Sequence, residues 1–175
     1  PAEYPLEDVS DTDDDLFGWP RVVDDFNVQG PLSIAVPTVV AGLSAALDRF
    51  GTLNWADAIG PAVEMAKRGM KVDWHATLRI SLEARGLANY PASRDFFMPD
   101  GLPAVSLDAA NLTTLQSDKQ VATLEQLRDA GPQDFYSGDL AQALAADMAE
   151  VGAKVDAADL AAYEARITEA HSGSY

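Results

Sequence analysis

With 175 residues, 47% of them hydrophobic and 8% aromatic, the chain is long enough to bury a core and too apolar to be read as disordered. Twelve Lys and Arg against 28 Asp and Glu leave a net charge of −16, a field that repels nucleic acid phosphates and anionic membrane surfaces. The absence of Cys excludes disulfides, thiolate metal sites and a Cys nucleophile, and no apolar stretch approaches the roughly 20 residues that cross a bilayer.

Residues 1–30 read as an acidic loop segment, rich in turn formers, without helical period and anchored by Phe17, Trp19 and Phe26. From about Thr38 a helical period begins. Val40, Leu43, Leu47 and Phe50 are spaced 3, 4 and 3, which predicts one buried face, and Gly51 suits a left-handed stop. Asn54 can cap a second helix with Trp55, Ile59, Val63 and Ala66 inward, ending at Gly69. Gly60-Pro61 lies inside it, and a proline there predicts a kink or two short helices. Asp73 can cap a third, with Trp74, Leu78 and Leu82 inward at i, i+4, i+8 and Gly86 at its end.

Residues 87–116 read as irregular, punctuated by Tyr90-Pro91 and Pro99-Asp100-Gly101. Asp118 opens a fourth helix, with Val121, Leu124 and Leu127 inside and Gly131-Pro132 as its stop. Asp139 is expected to cap a fifth, striped by Leu140, Leu144, Met148 and Val151, and Asp156 a short sixth through Leu160 and Tyr163. The alternation from Glu164 to Tyr175 predicts a strand in need of a partner sheet. The expected fold is mainly α: about six helices with a C-terminal strand.

Candidate chemistry is sparse. Asp11, Asp13, Asp14 and Asp15 resemble the start of a calcium loop, but Leu16 replaces the turning Gly and Val22 the closing Glu, so a solvated loop is expected. His75 and His171 stand 96 positions apart without ligand spacing, which argues against a metal pair. Ser172 and Ser174 neighbour His171, yet successive residues of a strand point to opposite faces and no nucleophile elbow is present. An N-terminal proline such as Pro1 can act as a base, but on β-α-β units that this helical pattern lacks. No cofactor is expected.

Several segments together resemble the gamma-glutamyltranspeptidase family, specifically the middle portion of its large subunit, over about 145 of the 175 residues. Ala35-Val36-Pro37 through Gly42-Leu43 resembles the family's AVPG-x-V-x-G stretch, and Leu53-Asn54-Trp55 through Pro61-Ala62 and Ala66–Gly69 its paired-helix motif. Gly131-Pro132, Phe135-Tyr136 and Gly138 resemble its GP-x-x-FY-x-G turn, and Asp159-Leu160 with Tyr163 its DL-x-x-Y element. Thr38 departs from the family's Gly, and Ser117–Gln120 from its Pro-x-Leu-Ala helix entry.

The resemblance implies a fragment of an N-terminal nucleophile hydrolase of αββα fold. A precursor there cuts itself into two subunits, and a Thr at the head of the small one attacks gamma-glutamyl amides such as glutathione. It also implies residues 31–163 as the helical domain of the large subunit and 164–175 as a strand of the central sheet. Partners would be the small subunit and the remainder of the same precursor, with neither nucleic acid nor a membrane span in this segment. Localisation would be periplasmic or secreted. The chain opens at Pro1 without Met, so an upstream segment is expected.

The Thr nucleophile and oxyanion glycines are expected beyond Tyr175, and the carboxylate-clamping Arg before Pro1. Arg21 sits in a WPRV context that does not match the clamp motif. No catalytic, substrate-binding or metal residue is therefore assigned, and this piece alone is expected to be inactive. The alternatives are a fragment of a related amide acylase, acting on glutaryl or similar side chains, and a non-catalytic acidic helical module that binds a protein partner.

Overall fold

The computed structural model describes residues 4–6 and 21–174. Expectations for Pro1-Ala2, Asp11–Asp15, Leu16, Phe17, Trp19 and Tyr175 lie outside the described residues. Among the described residues the chain is mainly helical, in the order α1 (Val39–Phe50), α2 (Trp55–Arg68), β1 (Met70–Lys71), α3 (Trp74–Leu82), α4 (Ala84–Ala88), α5 (Pro91–Phe97), β2 (Thr114–Leu115), α6 (Asp118–Ala130), α7 (Asp134–Ser137), α8 (Asp139–Glu150) and α9 (Ala157–Ala161). Among the described residues two compact units form: one from 4–6, 21–55 and 130–174, the other from 56–129.

The 56–129 unit is organised by a two-stranded antiparallel ribbon, with Met70 opposite Leu115 and Lys71 opposite Thr114. Gly69 makes the entry possible. Its φ is +73°, and a Cβ there would meet the Leu115 carbonyl oxygen at 2.7 Å. The Ser106 hydroxyl donates to the Val72 carbonyl and accepts from Thr113 N at 2.9 Å, which pins the long connection to the ribbon. Behind it lies a core of Val72, Ile80, Met98, Ala104 and Leu115, with Phe96 and Phe97 packed against it.

Several expectations need correction here. Residues 87–116 are not irregular throughout, because they contain the end of α4, all of α5, and β2. Pro91 starts α5 rather than breaking a turn: the first position of a helix has no use for an N–H donor. The third helix ends at Leu82, and Gly86 lies within α4. Trp74, Leu78 and Leu82 face outward, Trp74 at 78% exposure, while Ile80 enters the core beside Ala76. Two apolar stripes run along α3 on opposite sides, and periodicity alone does not say which one meets the core. Gly60-Pro61 does not split α2, which runs as one element around a buried Val63. A proline forfeits one backbone bond, and burial of the flanking apolar face offsets it.

The expected cap of α3 is present: the Asp73 carboxylate accepts from Ala76 N at 2.8 Å. In α6, Asp118 is the first helical residue, and the capping hydroxyl comes from Ser117, which accepts from Gln120 N at 3.3 Å.

The other unit is built on α7, α8 and α9, with a core of Ala141, Met148, Val155 and Leu160. The stripe on α8 behaves as its spacing predicts at Leu140, Leu144 and Met148, whereas Val151 is exposed. Asp156 caps α9 in a capping box. It accepts from Ala158 N and Asp159 N, and Asp159 accepts from Asp156 N in return.

On α1 the expected face is only half right: Val40 and Leu47 are partly buried, but Leu43 and Phe50 are exposed. The small residues Ala41, Ser44 and Ala45 take the inner side instead. Gly51 ends α1 in extended, not left-handed, backbone. Residues 164–174 form no strand. A strand requires a neighbour's backbone groups, and no described segment of this chain pairs with this one.

Candidate functional site

Three distant stretches of the chain meet at Tyr136. Gly131-Pro132 stops α6 and turns the backbone into α7, which places the Tyr136 ring in the interior at 5% exposure. Its hydroxyl donates to the Pro37 carbonyl at 2.9 Å and accepts from Ala41 N at 3.0 Å, across 99 and 95 positions of sequence. Ala41 lies in the first turn of α1, where backbone N–H groups lack helical partners. Thr38, the residue at the cap position, makes no side-chain cap bond. A phenol from another part of the chain thus performs the capping that a local Ser or Thr side chain usually provides. The Tyr136 ring stacks on Tyr163, with centroids 5.7 Å apart and planes at 25°, and meets Phe135 edge-on at 5.2 Å.

The next turn is held by a second non-local cap. Contrary to expectation Asp139 is not the cap of α8; it is the first helical residue. The Asp134 carboxylate reaches forward and accepts from Asp139 N at 2.9 Å and from Leu140 N at 3.2 Å. Gly138 leaves it room, since a Cβ at that position would collide with the Asp134 carboxylate. One acid so satisfies two orphan donors and ties α7 to α8.

Tyr136 borders a cleft of about 320 Å³, lined also by Ala41, Ser44 and Asp48 of α1, by Gln133, and by Tyr163 and Glu164 from the segment after α9. Two carboxylates, two phenols, an amide and the Ser44 hydroxyl make it polar. Burial pushes the Tyr136 phenol above its ordinary value, against the opposing pull of the Ala41 N–H. A wider, mostly apolar hollow of about 680 Å³ lies in the 56–129 unit among Met65, Met70, Phe96, Phe97 and Leu124.

The residues weighed from sequence lie apart from these features. His75, on the first turn of α3, is exposed and meets Trp74 edge-on at 5.7 Å. His171, Ser172 and Ser174 are exposed in the segment that forms no regular element, so the alternating-strand argument about them does not apply. Arg21 is exposed beside an isolated bridge between Leu6 and Val22. Among the described residues no three His, Asp or Glu side chains gather as a metal site, and no helix is long and apolar enough to cross a membrane.

Sequence reasoning missed the roles of Tyr136 and Asp134, although Phe135-Tyr136 and Gly138 stood in a quoted motif. Pro37, Ala41, Tyr136 and Tyr163 all belong to segments that resemble the gamma-glutamyltranspeptidases, and the fold brings them together through two hydrogen bonds and a ring stack on Tyr136. The gamma-glutamyltranspeptidase pattern matches residues 11–175. The chain belongs to the gamma-glutamyltranspeptidase family.

Among members of this family, the chain is 36% identical over 149 residues to the acylase ACY 1 proenzyme of Pseudomonas sp. (strain V22), covering 85% of this chain and 26% of that protein. It is 33% identical over 147 residues to the glutathione hydrolase proenzyme of Escherichia coli (strain K12), covering 82% of this chain and 24% of the relative. The gamma-glutamyltranspeptidase from Pseudomonas nitroreducens, solved in complex with L-DON, superimposes with a TM-score of 0.68 at 30% identity, over 82% of this chain and 40% of that one. The chain therefore spans about a quarter of the length of these curated relatives.

Proposed function

We propose that this chain is the middle portion of the large subunit of a gamma-glutamyltransferase-like N-terminal nucleophile hydrolase. In this reading residues 31–163 are helical scaffold and 164–175 become a strand of the parent's central sheet. The chemistry is acyl transfer from a gamma-glutamyl amide, glutathione among them. The reactive Thr lies outside these residues, in a small subunit released from the same precursor. An activated hydroxyl and an oxyanion hole are what such a reaction demands, and this chain's part is to hold the helices that frame them. Taken alone it is inactive.

One observation carries the reading: a continuous family match over residues 11–175 that accounts for only a quarter of the relatives' length. Two of those relatives are named as proenzymes, which agrees with a precursor that is processed. The test is to express the full parent gene and analyse the product by mass. A Thr-initiated small subunit and cleavage of a gamma-glutamyl anilide are expected. An unprocessed chain that leaves the anilide intact refutes the reading.

A second reading has support of its own. The acylase ACY 1 proenzyme is 36% identical to this chain, against 33% for the glutathione hydrolase of Escherichia coli. Under that reading the parent processes itself but prefers an amide with another acyl group. Paired assays with gamma-glutamyl and glutaryl anilides separate the two.

A further inference from the structure

The first nine residues of α1, from Val39 to Leu47, carry no charge, and Ser44 is their one polar side chain. A helix apolar on all sides belongs in an interior. Yet no residue of α1 is buried in this chain. Its inner side is accounted for: Ala41, Ser44 and Ala45 face the cleft, and the Tyr136 hydroxyl fixes the Ala41 N–H. Val39, Leu43 and Phe50 lie together on the opposite side, since residues four and seven apart fall on one helix face. They are 68%, 59% and 77% exposed.

We propose that this outer stripe of α1 is a docking face for polypeptide of the same precursor lying outside these 175 residues. The inference rests on the reading that the chain is one part of a larger enzyme. The chain covers 26% and 24% of two curated relatives, so a family member of that length has about three quarters of its residues available to cover the stripe. The Arg49 guanidinium lies over the Phe50 ring at one end of the stripe, 5.4 Å from its centroid, while Val39 and Leu43 offer only aliphatic surface, so the occupant presents an apolar surface. A second copy of this chain fits less well: two bodies of net charge −16 repel one another.

Hydroxyl-radical footprinting of the wild-type, full-length precursor tests this without a mutation. Oxidation is read residue by residue by mass spectrometry, against the same precursor unfolded in urea. Leu43 and Phe50 should oxidise about tenfold more slowly in the native protein, as buried side chains do, and at every protein concentration. Oxidation at the unfolded rate overturns the proposal, and so does protection that vanishes on dilution to a monomer, which would assign the stripe to self-association. Self-cleavage and anilide hydrolysis are assayed on the same sample. A protected stripe in a precursor that does neither supports the docking face and refutes the enzymatic reading. An active, processed enzyme with an exposed stripe refutes the docking face alone.

Discussion

Replacing Tyr136 by Phe removes one oxygen atom and tests the wiring around it. The ring stays, so its burial and its stacking on Tyr163 are retained. Two hydrogen bonds are lost, one to the Pro37 carbonyl and one from Ala41 N, and the latter leaves a first-turn N–H without its cap. A cap is worth about 1 kcal/mol and a second neutral hydrogen bond about 1 kcal/mol more, so the substitution should cost ~2 kcal/mol. For a protein of this size that lowers the thermal midpoint by roughly 4–8 °C, measured by far-ultraviolet circular dichroism. The control is Thr38→Ala. Thr38 occupies the cap position yet makes no cap bond, so its side chain should be dispensable. If Tyr136→Phe melts with the wild type, or Thr38→Ala costs as much, the non-local cap is not what holds α1.

The same phenol sets a dependence on pH. Burial raises its folded-state pKa, so its stabilisation is whole below the ordinary tyrosine value of about 10 and is lost as pH rises through it and toward the folded value. Tyr136→Phe should flatten that part of the alkaline stability profile, and an unchanged slope would contradict this. Gly138→Ala should destabilise by about 1–3 kcal/mol in denaturant titrations, because the new methyl displaces the Asp134 carboxylate from its two donors. Asp134→Ala should reproduce most of that loss, and Gly138→Ala in its background should then cost little. Leu160→Ala empties a fully buried site and should cost about 2–5 kcal/mol; an effect below that range would mean the core of this unit relaxes around the gap. The Asp108 carboxylate accepts from Ala110 N and Asn111 Nδ2 and is held below the usual carboxylate range. Its contribution is present above the ordinary value near 3.9 and fades as acid titrates the folded-state group, which carbon-detected NMR titration would show.

Local structure was legible where the physics is local. Asp73 and Asp156 cap because a short carboxylate reaches N–H groups two or three residues ahead, which spacing alone reveals. The stripe Leu140, Leu144, Met148 pointed inward because a helix with one apolar face has one way to bury it. The family was legible too, since its motifs stand in order along the chain. What tertiary structure alone decided are choices between equivalent local options. α3 carries an apolar stripe on each side, and only packing selected Ile80 over Trp74. Gly138 and Asp134 read as turn residues until the fold set one carboxylate across two backbone donors. Tyr136 reaches Pro37 and Ala41 from nearly a hundred positions away, and no spacing rule encodes a contact that exists only after the chain has closed on itself. The residues after Glu164 show the limit from the other side. Their alternation suits a strand, but a strand is a relation between two segments, and the second one is not supplied by the described part of this chain.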